Sequence, residues 1–210
     1  MKKRMVKLML GVALIGVSIL GLDAIMVFND PETPFPGKTS TQIGDMITDS
    51  ASELLQSAAD AFLFLNEVEI ASRNGLNVPA ALQRVDLAAA RVERALLLFK
   101  NIIATGHEAG YEPRRIGKLK NFTYDRFARE NGLNTETMNE ISAYLAEGNV
   151  LGFYRRHAHN LQSLLDTLTV IKADLLAGRL STNQILWSLL QQYNNTMIFG
   201  NYASMVFYKI

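Results

Sequence analysis

Hydrophobic residues recur at alternating steps of three and four along most of the chain. The sharpest run is Leu82, Val85, Ala89, Val92, Leu96, Phe99 and Ile103, spaced 3,4,3,4,3,4. Each such step keeps a residue on one face of an α-helix, so the run predicts a helix with a seam that wants a partner. Tyr154, His157, Leu161, Leu164, Leu168, Ile171 and Leu175 repeat the spacing. A looser version passes through Ile43, Ile47, Leu54, Ala58, Ala61, Leu65 and Val68. Strand alternation is poor throughout.

Capping residues bound these runs. The first helix is expected over about residues 41–73, with Gly75 as its stop. The second starts after Asn77, a good N-cap, with Pro79 in its first turn, and continues to about Thr105. The third runs from Val150 to Ala177 and stops at Gly178. The fourth starts after Ser181 or Thr182 and runs nearly to the C-terminus. Short connections at 75–77 and 178–181 make antiparallel neighbours. The expected fold is all-α: an antiparallel four-helix bundle whose two helix hairpins are joined by a long, partly helical connection at 106–149. Within that connection, shorter helices are expected around residues 124–130 and 135–146.

The pattern changes at both ends. Residues 1–28 carry Lys2, Lys3, Arg4 and Lys7, then an apolar run from Leu8 to Leu22 that reaches Phe28 if Asp23 is tolerated. The shorter run suits a signal peptide and the longer one a membrane-spanning anchor. Basic residues before the run place the N-terminus in the cytoplasm and the rest of the chain outside it. Residues 29–40, with Pro31, Pro34 and Pro36, read as a semi-extended spacer, and 41–210 as the bundle domain. At the other end, "TMIFGNYASMVFYKI" is apolar nearly all round. Either it is buried within the domain, or Phe199, Tyr202, Phe207 and Tyr208 dock on a protein partner, a second copy or a membrane.

Charge and composition narrow the functions. Of 21 basic and 20 acidic residues, residues 1–28 hold four and one, leaving 17 against 19 for the remainder. That balance gives no global signature of nucleic-acid binding. The absence of cysteine excludes disulfides, thiolate metal sites, covalent c-type haem and a lipidated cysteine. Export without disulfides points to a bacterial periplasm, or an inner-membrane anchor facing it.

Candidate chemistry is sparse. His157 and His159 lie two residues apart and cannot grip one metal from a helix, where successive residues turn by 100°. His157 alone falls on the seam, where a core histidine hydrogen-bonded to a neighbouring helix is expected, and a small ligand among His157, Tyr154 and Tyr193 is the alternative. The Glu-x-x-His pairs of di-metal bundles are absent. Glu53, Asp60 and Glu67 recur every seven residues, as do Asp86 and Glu93, and read as solvated flanks that Arg84, Arg91 and Arg94 can pair with. The connection holds Arg114, Arg115, Lys118, Lys120, Arg126 and Arg129 interleaved with Tyr111, Phe122, Tyr124 and Phe127, either a cap whose aromatics pack on the bundle end with its bases solvated or a surface for an anionic partner. No nucleotide loop, nucleophile elbow or zinc-protease helix is found, and no cofactor is called for. The expectation is a non-enzymatic structural or interaction subunit of a cell-envelope assembly, or alternatively a sensory or carrier bundle with a ligand near His157.

Overall fold

A computed structural model of the chain describes residues 40–74, 77–104 and 135–207. They form five α-helices and, among the described residues, no strand: α1 (Ser40–Asn74), α2 (Val78–Ala104), α3 (Thr135–Ala146), α4 (Val150–Leu176) and α5 (Asn183–Phe207). The four long helices and the short one at 135–146 match the sequence pattern to within one or two residues. The apolar stretch at 1–28, the proline-rich spacer up to residue 39, the helix expected at 124–130 and the basic stretch at 111–129 lie outside the described residues. No helix among the described residues is long and apolar enough to cross a membrane.

Local chemistry explains the boundaries. The Asn77 side chain accepts from the Ala80 amide, Asn149 from Gly152 and Thr182 from Ile185, each capping a helix start. α4 ends where Gly178 adopts φ +69°, with the Arg179 amide donating to the Asp174 carbonyl and the Gly178 amide to that of Leu175. That left-handed cap satisfies carbonyls the helix leaves free, and glycine takes it without strain. The Asp174 carboxylate then accepts from Ser181 and Arg179, which ties the turn down.

The long helices pack as a bundle in the cyclic order α1, α2, α4, α5, and α3 lies against α4 and α5. Side-chain pairs fix the directions. Ser50 reaches Ala95 and Ser57 reaches Ala88, so α1 and α2 are antiparallel. Phe99 meets Tyr154 and His157, whereas Asp86 meets Lys172, so α2 and α4 are antiparallel. Tyr193 bonds Ser57 while Gly200 faces Leu54, which runs α5 against α1. The start of α1, the end of α2, the start of α4 and the end of α5 therefore share one pole, the base. The α1–α2 and α4–α5 connections share the other, the tip. At 27 residues, α4 separates the poles by about 40 Å.

The α1–α2 contact differs from the seams drawn on sequence. The buried row of α2 is Ala81, Val85, Ala88, Val92, Ala95, Phe99 and Ile102; of the expected seam Val85, Val92, Leu96 and Phe99 are buried, while Leu82, Ala89 and Ile103 are only half-buried. On α1 the buried row is Ile43, Ile47, Ser50, Leu54, Ser57, Ala61 and Phe64, spaced 4,3,4,3,4,3. Both serine hydroxyls donate to α2 carbonyls, Ser50 to Ala95 at 3.2 Å and Ser57 to Ala88 at 2.7 Å. Alanines at 81, 88 and 95 present little side chain, so α1 can come close enough for a serine to reach backbone. α2 also packs on α4, which widens its buried sector beyond one seam. Larger side chains supply the remaining burial energy, with Phe64, Phe99, Phe153 and Phe199 each fully buried and worth about 1.5–3 kcal/mol.

Candidate functional site

The acidic row of α1 and the arginines of α2 interleave in a ladder along one flank. Glu67 and Asp60 meet Arg84, Asp60 and Glu53 meet Arg91, and Glu53 takes Arg94 in a two-pronged contact of 2.9 Å on each oxygen. Gln56 accepts from Arg91 in the same row. The hydrogen bond from Arg94 holds the Glu53 carboxyl below the usual carboxylate range. Asp86 of the second acidic row pairs instead with Lys172 of α4 at 2.6 Å. Beside the ladder, Asp49, Ser52, Glu53, Arg94, Leu97 and Leu98 line an open groove of about 340 Å³. Leu97 is 59% exposed at its rim.

The interior around His157 is apolar. The ring is 1% exposed, meets the Phe99 edge at 4.4 Å between centroids, and lies parallel to Phe199 at 6.2 Å. Leu54 and Gly200 close the same layer: a methyl group added at Gly200 would sit 3.6 Å from the His157 ring and 3.7 Å from Leu54. All four long helices thus contribute to this layer. Burial alone pushes the imidazole down to about 3, so the ring is neutral at any ordinary pH. The hydrogen bond expected across the seam is not made at Nδ1, which has no partner. One turn away, the Tyr154 hydroxyl is likewise buried and unpartnered, and burial raises its pKa well above the ordinary phenol value. His159 points away from the core and is exposed, as the 100° step requires.

Tyr193, the third candidate for a ligand site, is not in that layer. Its hydroxyl lies 2.6 Å from Ser57 Oγ and also reaches the Ser57 carbonyl at 3.3 Å. Since the Ser57 proton goes to Ala88, Tyr193 donates to Ser57. This relay links α5, α1 and α2 through the core. Among the described residues, no group of three or more His, Asp or Glu side chains is placed to hold a metal ion.

Two of the four docking candidates at the C-terminus lie among the described side chains. Phe199 and Tyr202 are 1% and 6% exposed, and residues 196–204 are buried all round. They belong to the core, where α5 packs on α4, α1 and α3, and offer no free surface. The Phe207 side chain and Tyr208 lie outside the described residues, as do Arg114, Arg115, Lys118, Lys120, Arg126 and Arg129. The buried serines 50 and 57 escaped the sequence reading. Their signal was the unbroken seven-residue register shared with the alanines at 81, 88 and 95. No family model, no curated protein and no solved structure matches the chain.

Proposed function

We propose that the chain is a structural or interaction subunit of the bacterial cell envelope, attached to a membrane through the base pole of its bundle and held outside the cytoplasm. The observation that carries this reading is the alternation of helix direction. Residues 8–28, long enough to span a bilayer if uncleaved, lead into α1 at the base. The basic connection leaves α2 at the base, and the chain runs out of α5 at the base. The apolar N-terminal stretch and the basic connection therefore attach at one pole. Eleven residues, 29–39, reach at most about 40 Å however they run, which keeps the base within that distance of an anchored membrane.

The connection supports the same orientation by charge. Between residues 112 and 129, six basic residues stand against Glu112 and Asp125. Each basic group near an anionic surface is worth about 1 kcal/mol, so the net charge supplies about 4 kcal/mol. Burial of Phe199 and Tyr202 moves any protein-docking role away from the body of α5 and onto exposed positions such as Leu97 and Leu176. The test is co-sedimentation of the full chain with vesicles. Binding that strengthens with anionic lipid, weakens with salt and falls when Arg114, Arg115, Lys118 and Lys120 are changed to Gln is expected. Equal partition to neutral and anionic vesicles would remove the role given to the connection. No binding to either would remove the membrane reading.

A further inference from the structure

We infer that His157 makes the seating of the C-terminal half of α5 on the bundle acid-sensitive: lifting that segment takes up one proton. The ring lies between a fixed wall and a removable one. Phe99 of α2 forms the wall, while Phe199 and Gly200 of α5 form the cover. With the cover seated, the imidazole is packed against the rings of Phe99 and Phe199, shielded from water, and stays neutral. With the cover lifted, it meets water and recovers an ordinary histidine pKa near 6.5.

No charge elsewhere takes over this role. On α1 and α2, Glu53, Asp60, Arg84, Arg91 and Arg94 are engaged with one another on the outer flank, and Lys100 is exposed. On α4, Arg156 binds Glu140 of α3, Arg155 and His159 are exposed, and Tyr154 is a buried neutral phenol. On α5, Tyr193 is held by Ser57 and Tyr202 is buried on the opposite side of the helix from Gly200. The same helix half carries its own weak point: Asn201, beside Gly200, is buried with neither amide atom bonded. A contact with an unmet amide opens more readily than an apolar one.

Protons bound on opening make the open population grow as pH falls. Below 6.5 it rises about tenfold per pH unit, and the rise ends only near the depressed value of the seated ring. Hydrogen exchange of the full chain, corrected for intrinsic rates, tests this on amides 196–204. Their protection is expected to fall about fifteenfold between pH 6.5 and 5, with His157→Leu holding the change within about twofold. The same loss in His157→Leu would overturn the inference. Should that variant fail to fold, the ring resonances of native His157 decide: a neutral ring at pH 5 upholds it, and titration near 6.5 overturns it.

Discussion

Ser57→Ala probes the relay that joins three helices. The serine hydroxyl is fully buried, donates to the Ala88 carbonyl at 2.7 Å and accepts from Tyr193 at 2.6 Å. Removing it deletes two hydrogen bonds, each worth about 0.5–1.5 kcal/mol net, and leaves Tyr193 with the weaker Ser57 carbonyl contact at 3.3 Å. A loss of about 2 kcal/mol is expected, or roughly 4–8 °C in Tm for a domain of this size. Tyr193→Phe removes only the Tyr193 bond and is expected to cost about 1 kcal/mol. The double variant should cost about 2 kcal/mol rather than 3, because the Tyr193 bond can be lost only once, which gives a coupling of about 1 kcal/mol. Denaturant unfolding followed by far-UV circular dichroism measures all four corners of the cycle. A cost under about 0.5 kcal/mol for Ser57→Ala, or additivity within about 0.3 kcal/mol, would refute the relay.

Other perturbations follow from the same packing. Ala88→Leu forces a large side chain into the close α1–α2 contact and should cost about 1–3 kcal/mol or more by denaturant titration, whereas the same change at half-buried Ala89 should cost less. Gly178→Ala meets no neighbour, so its expected cost of about 1 kcal/mol comes from φ +69° alone, measurable as a lower unfolding midpoint at unchanged slope. Burial raises the pKa of Tyr154 and Tyr193, so both favour the folded state below the ordinary phenol value near 10 and that stability is lost as pH rises above it. Tyrosinate absorbance at 295 nm should therefore retain a component, from Tyr154 and Tyr193, that ionises only together with loss of helix.

Helix positions were legible because they depend on local chemistry. Asn77, Asn149, Thr182 and Gly178 act within one turn of themselves, and each marks the boundary its residue type implies. The faces of the helices were less legible. Ser50 and Ser57 look polar in isolation, and only the backbone of α2 makes them core residues. The acidic row at 53, 60 and 67 was visible, with Arg84, Arg91 and Arg94 as its candidate partners, but which arginine takes which carboxylate depends on the α1–α2 register. His157 was assignable to the interior by spacing, yet its surroundings come from four separate helices, so its unmet Nδ1 could not be anticipated. The all-round apolar end admitted burial or docking, and a third neighbour, α3, helps to bury it inside the chain.

Membrane attachment through the base is tested most directly by depth. The chain has no native cysteine, so single cysteines at Asn101, exposed near the end of α2, and Gln184, exposed near the start of α5, report the two poles without interference. Each is labelled with a fluorophore on the full chain and mixed with anionic vesicles carrying a headgroup quencher. The expected result is strong quenching at Asn101→Cys and little at Gln184→Cys, about 40 Å away. Quenching at position 184 that equals or exceeds that at 101 would contradict the orientation.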